Sequence, residues 1–189
     1  MIASGRVAYL ARRSADYGVH PGEKVTVDMT KVRQRKREIV DSFRGGSEKR
    51  IANSGVILYT GEASFTDEHT LDVKMNNGSK ETVRGDLIII QTGERPAKPS
   101  LEGIDTIESS RVLNSTSVQE LDHVPDHLLV LGGGYIGLEF GQLFRRLGAK
   151  VTIVQKGPQL LPREDTDIAI TMQDILLQDG IDSRSFMPT

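Results

Sequence analysis

Gly132, Gly134 and Gly137 stand at the intervals of G-x-G-x-x-G inside LVLGGGYIGLEFGQLFRRLGAKVTIVQ, residues 129–155, and Gly141 and Gly148 continue the series. The chemistry open to such a spacing is phosphate binding by main chain. Gly132 permits a tight strand-to-helix turn, Gly134 lets the backbone approach a phosphate without a Cβ clash, and Gly137 lets a helix lie close on its strand. An anion then meets the free N–H groups of a helix N-terminus. Gly133, Tyr135 and Ile136 fill the variable positions of the turn, and Glu139 follows within the helix. The segment therefore reads as a site for a dinucleotide pyrophosphate.

Gln155 ends the next strand, where a unit of this kind places Asp or Glu to accept from the ribose 2′-hydroxyl. No acid is present. Lys156 and Arg163 are close in sequence and suit a 2′-phosphate, so NADP(H) is slightly favoured over NAD(H). Glu164, Asp165 and Asp167 precede a helix expected from about Ile168 to Asp179, and helix-terminal capping explains all three.

The elements that must position these groups follow from periodicity. HLLVL before the glycines and KVTIV after them read as buried parallel strands joined by a helix, a βαβ unit. Upstream, a helix is expected over Ile2–Tyr17, with Val7, Leu10, Ala11 and Tyr17 as its apolar stripe. A second, capped by Asp28, should run to about Arg44 and stop at Gly45 and Gly46. VILYTGEASF, TLDVKM and ETV, with a turn at Asn76-Asn77-Gly78, form a small antiparallel meander, and DLIIIQTG, residues 86–93, reads as a further short strand. The proline-containing stretch after Glu94 connects to the glycine-rich unit. Residues 1–117 and 118–189 are thus expected as two α/β domains, the second C-terminally incomplete.

Composition narrows the classes. The chain has 189 residues, a formal charge of −2 and no cysteine, which excludes disulfides, thiolate metal sites and dithiol chemistry carried by its own side chains. No run approaches the roughly 20 apolar residues of a membrane span, no signal peptide is visible, and the cytoplasm is the expected compartment. KVRQRKR, residues 31–37, lies on an amphipathic helix without interleaved aromatics, so it reads as a solvated face and no nucleic-acid partner is expected. Pro125 breaks any helix carrying His123 and His127, and no metal site is expected.

Three segments resemble the FAD-dependent pyridine nucleotide-disulfide oxidoreductases, the group of glutathione reductase, dihydrolipoamide dehydrogenase and mercuric reductase. TGEASF (60–65) is similar to the family's meander element at the FAD adenine, IIIQTGERPAKPSLEGID (88–105) to its T-G-x-x-P segment at the flavin, and 113–142 to its entry into the NAD(P) domain. VAYLARRSADYGV and QLLPRED most resemble mercuric reductase-like members. The resemblance implies a partial FAD-binding domain followed by a Rossmann-like NAD(P)-binding domain. It also implies FAD contacts at Gly61, Glu62, Ala63, Thr92 and Gly93, and auxiliary roles at the nicotinamide for Tyr135 and Glu139.

Family members carry a first glycine fingerprint and a C-x4-C pair before the helix that here begins at Ile2, and a dimerisation domain after the point where this sequence stops. The chain is accordingly expected to be an internal portion of such an enzyme, passing hydride from NAD(P)H to FAD and on to a disulfide, metal ion or other acceptor. The alternative is a non-catalytic dinucleotide-binding fragment or interrupted-gene product. By itself the purified chain should be colourless and inactive toward disulfide or Hg(II) substrates. Stoichiometric flavin absorbance with NAD(P)H-dependent turnover would contradict that expectation.

Overall fold

In the computed structural model, which describes residues 1–22 and 24–186, the chain forms two compact units, Met1–Arg37 with Lys98 onward, and Glu38–Ala97. The first contains a parallel sheet ordered β4 (His127–Leu131), β5 (Lys150–Lys156), β6 (Asp182–Phe186). His127 pairs with Lys150 and Leu131 with Val154, while Thr152 pairs with Asp182. Helix α3 (Tyr135–Leu147) makes the crossover from β4 to β5, and α4 (Thr166–Gln178) the one from β5 to β6. The expected βαβ unit is present, extended by β6, whose polar sequence DSRSF has no apolar pattern to announce it.

The core forms where α3 meets the sheet. Phe144, Leu147, Ala149, Val151 and Ile153 are almost wholly buried, joined by Leu160, Leu176 and Ile181. Helix α1 (Ile2–Arg12) packs on α3, but not by the expected stripe: Val7, Leu10 and Tyr17 are exposed, and Gly5 and Ala8 are buried. A Cβ on Gly5 would lie 2.7 Å from Leu143 Cδ1, so close helix approach selected the small residues over the large ones. After Arg12 the chain tightens into a 3₁₀ turn, Ser14–Tyr17, instead of continuing as α-helix, and ends at Gly18 in the left-handed region.

Helix α2 (Met29–Asn53) starts as expected, the Lys31 N–H donating to Asp28 Oδ1 at 3.0 Å, and Met29 enters the core of the first unit. It does not stop at Gly45-Gly46. Each glycine costs about 1 kcal/mol against alanine, but Arg44, Ser47, Glu48, Lys49 and Arg50 around them carry the helix through, and Gly55, at φ +75°, follows its end. In the second unit β1 (Gly61–Asp67), β2 (Thr70–Met75) and β3 (Lys80–Arg84) form the meander, with Gly61 opposite Met75 and Thr70 opposite Arg84. Its first strand begins later than expected, leaving 56–60 irregular. The stretch 86–93 is not a strand: Leu87, Ile89 and Ile90 are exposed, because no strand among the described residues offers them ladder partners.

The basic run is more than a solvated face. Arg33 Nη1 donates to the Glu120 carbonyl at 2.7 Å, Lys36 pairs with the Glu120 carboxylate, and Arg37 Nε reaches it at 3.2 Å. These contacts tie α2 to the 3₁₀ turn Ser117–Glu120, beside buried Val118. The hydrogen bond from Lys36, then that from Arg37, lowers the Glu120 carboxyl from its ordinary 4.5 to about 2. A carboxyl depressed on folding helps the fold above pH 4.5 and loses that contribution as pH falls toward about 2. Stability should therefore fall more steeply across this window in the wild type than in Glu120→Gln, with salt reducing the difference. Equal pH slopes in thermal melts would show that the cluster contributes nothing.

Candidate dinucleotide site

Strand β4 delivers the chain to Gly132, whose φ of +104° is a conformation side-chain-bearing residues avoid, and the backbone turns there into α3. The Gly132 N–H is tied to the Val154 carbonyl at 2.8 Å, which anchors the turn to the neighbouring strand. A Cβ on Gly137 would overlap the Gly132 carbonyl and stand 3.2 Å from Val130 Cγ1, so the helix can lie on its strand only with glycine there. Gly141 repeats this approach against Ile153, at 3.2 Å. Gly134 differs, since a Cβ there would meet nothing within 4 Å. The space above the turn is open.

The N-terminus of α3 lies at that space with Gly134 as N-cap and no side-chain cap. Its first N–H groups have no intrahelical acceptor and carry the positive end of the helix dipole. Gln155, read from sequence as facing the ribose, is only 7% exposed. Its Oε1 accepts from the Gly133 N–H at 2.7 Å and its Nε2 donates to the Lys156 carbonyl at 2.7 Å, so the amide braces the turn from below. Lys156 and Arg163 are exposed and form no ion pair among the described residues.

Residues 157–165 fold back as a strap on the turn. The Leu161 N–H donates to the Gly133 carbonyl at 2.8 Å, and Leu160 packs so closely that a Cβ on Gly133 would come within 2.5 Å of it. Leu161 adopts φ +48°, a strained conformation for leucine, held by burial of its side chain. Glu164, assigned from sequence to helix capping with its neighbours, instead accepts the Tyr135 hydroxyl, which holds the phenol above its ordinary range. Asp165 is the N-cap residue of α4 without a side-chain cap bond, and Asp167 Oδ1 accepts the Ile168 N–H at 2.9 Å. The sequence signal for Glu164 and the two leucines was weak: a loop that folds back leaves no periodicity.

Tyr135, Ile136 and Glu139 are exposed on the first turns of α3, with Glu139 beside Ile2 and Gly5. The remaining candidates lie in the second unit. Gly61, Glu62 and Ala63 open β1, one of the two edge strands of the meander, and a Cβ on Gly61 would overlap the Lys74 carbonyl. Thr92 and Gly93, the latter at φ +70°, sit in irregular exposed chain. His123 pairs with Asp122 at 2.9 Å and His127 shares a 2.9 Å hydrogen bond with Thr152.

The family profile described as "Pyridine nucleotide-disulphide oxidoreductase" matches residues 4–185. The chain is 35% identical, over 95% of its length, to a probable pyridine nucleotide-disulfide oxidoreductase, RclA, of Escherichia coli, covering 43% of that protein. It is 36% identical over 88% of its length to the dihydrolipoyl dehydrogenase of Trypanosoma brucei brucei, covering 34% of it. Against the solved structure of the HOCl-induced flavoprotein disulfide reductase RclA from Escherichia coli the TM-score is 0.76 at 31% identity, with 96% of this chain and 38% of that one covered. LpdA of Mycobacterium tuberculosis, at TM-score 0.79 and 23% identity, shares the fold over 97% of this chain and 40% of its own. The chain thus spans less than half the length of these relatives.

The two glycines of the turn make opposite demands, which substitution separates. Gly137→Ala should destabilise the chain by about 1–3 kcal/mol, whereas Gly134→Ala, at φ −81° in open space, should leave stability unchanged or slightly higher. Urea midpoints that fall alike for both would refute this division.

Proposed function

We propose, from the premise that this chain belongs to the pyridine nucleotide-disulphide oxidoreductase family, that it takes up a nicotinamide dinucleotide at Gly132–Gly137 and serves a flavoprotein oxidoreductase by presenting it to FAD. The observation that carries this reading is the open space over Gly134 at the uncapped N-terminus of α3. The fit to a pyrophosphate is good on the chain's own terms: unfilled volume, unpaired N–H donors, and the positive end of a 13-residue helix. When bound, the cofactors supply the redox chemistry, hydride passing from reduced nicotinamide to flavin and its electrons on to a disulfide, metal ion or other acceptor.

The protein's own residues bind and orient. Gly132 and Gly137 set the turn, Gln155 and the strap hold it rigid from beneath, and Tyr135, steadied by Glu164, stands at its rim with Glu139 one turn further along α3. We assign flavin contacts to Gly61–Ala63, on a strand edge free to meet an adenine, and to Thr92 and Gly93, by the family resemblance. On this reading the flavin-side portion is 1–117 and the dinucleotide portion 118–189, a functional division distinct from the packing units.

For the cofactor we favour NADPH. No carboxylate stands at Gln155, and Lys156 and Arg163 in the same segment are exposed cations without an ion pair among the described residues. A charge-assisted contact contributes about 1.5–3 kcal/mol, or roughly tenfold and more in affinity, less when solvent screens it. In calorimetry at low salt NADPH should bind at least as well as NADH, and Lys156→Ala and Arg163→Ala should weaken NADPH alone. Gln155→Glu should turn the preference toward NADH, since a carboxylate keeps the Gly133 bond but repels a 2′-phosphate. Gly134→Val should abolish both. Unchanged affinity in a folded Gly134→Val chain would remove the site from this turn, and absence of any dinucleotide binding by folded wild type would overturn the reading altogether.

A further inference from the structure

At the opposite end of α3 from the glycine turn lies a cleft of about 570 Å³, formed where the last turns of α1, α3 and α4 converge. Tyr9, Arg12, Arg13, Arg145, Arg146 and Asp179 line it. Four guanidinium groups on one cleft are unexpected in a chain of net negative charge. The carboxylates that answer them are few: Asp16 pairs with Arg13 at 2.9 Å, and Asp179 with Arg146 at 3.5 Å while also accepting from the Gln142 amide at 2.9 Å.

Arg12 and Arg145 make no ion pair among the described residues. Arg12 donates to the carbonyls of Arg146 and, at 3.1 Å, Leu147; Arg145 donates to those of Asp179 at 2.8 Å and Ala149 at 3.3 Å. Capping of helix C-termini accounts for these bonds and fixes both side chains in place. It does not neutralise them, because a helix end offers only about half a negative charge and each guanidinium has five N–H donors.

Two further features prepare the cleft. The Tyr9 ring lies 4.6 Å from the Arg146 guanidinium and 5.1 Å from that of Arg13, a cation–π contact with each. Arg146 Nε is buried with no hydrogen-bond partner, a donor that a native structure rarely leaves orphaned. We infer that this arginine cleft is an anion site for a phosphate-bearing small molecule, separate from the dinucleotide turn and independent of its assignment. Arginine is the side chain suited to such a ligand, since its planar fork meets phosphate oxygens in pairs, and the volume admits a group the size of a nucleoside phosphate.

The test titrates the full chain with inorganic pyrophosphate at low ionic strength, by calorimetry and ³¹P NMR. The wild type should bind saturably, and Gly134→Val, which closes the glycine turn, should keep a saturable pyrophosphate site, which separates the cleft from that turn. Arg13→Gln, which removes an exposed side chain that caps no helix, and Arg146→Gln should each weaken binding about tenfold, the loss of one charge-assisted contact. Circular dichroism and NADPH affinity serve as controls for folding, and Arg13→Gln should change neither. No saturable pyrophosphate binding would overturn the inference. So would binding that Gly134→Val abolishes and Arg13→Gln spares, or capture of a glutamate-rich peptide without pyrophosphate binding.

Discussion

The approach of α3 to the end of β4 is the constraint on which the rest of the first unit depends. With Gly137 against the Gly132 carbonyl, the helix axis is brought nearer the sheet than any side chain there would permit, and Gly141 lets it lie close on Ile153. That closeness aims the helix N-terminus over the strand ends and sinks Phe144 and Leu147 into the core at the other end. One packing distance therefore serves both purposes: it buries the apolar residues that hold the unit together and places unpaired N–H donors at an open edge.

Below the turn, rigidity comes from polar contacts of unusual economy. A single amide, Gln155, satisfies a donor on one side and an acceptor on the other, and the strap adds a main-chain bond from Leu161. Leucine at a positive φ is unfavourable by about 1–3 kcal/mol, and it persists because both Leu160 and Leu161 are almost wholly buried. The strap thus holds the turn in one conformation before any ligand arrives, the preorganisation that spares a binding site the entropy of ordering it.

Legibility from sequence followed the range of the interactions involved. The turn, β4, α3 and β5 were readable because glycine spacing and apolar periodicity are local. The meander was readable from alternation and the Asn76-Asn77-Gly78 turn. Misreadings arose where a distant partner decided the outcome. Helix α1 chose Gly5 and Ala8 over Val7 and Leu10 because α3 came close; Glu120 gathered three cations from α2; Glu164 left its helix for Tyr135. The segment 86–93 has strand composition without a strand to pair with, and hydrogen-bond partners cannot be read from composition.

The meander unit carries a consequence of its own. Among the described residues of 38–97 Val73 is the single buried hydrophobic residue, while the first unit holds the others. Cohesion in the meander is therefore mostly ladder hydrogen bonding, and each such bond adds only about 0.5–1.5 kcal/mol net. Amide protons in β1, β2 and β3 should open to solvent through local fluctuations that leave β4 and β5 closed, giving the chain two exchange regimes. Its unfolding is then a sequence of events, and the urea midpoint that reports the glycine turn is that of the first unit.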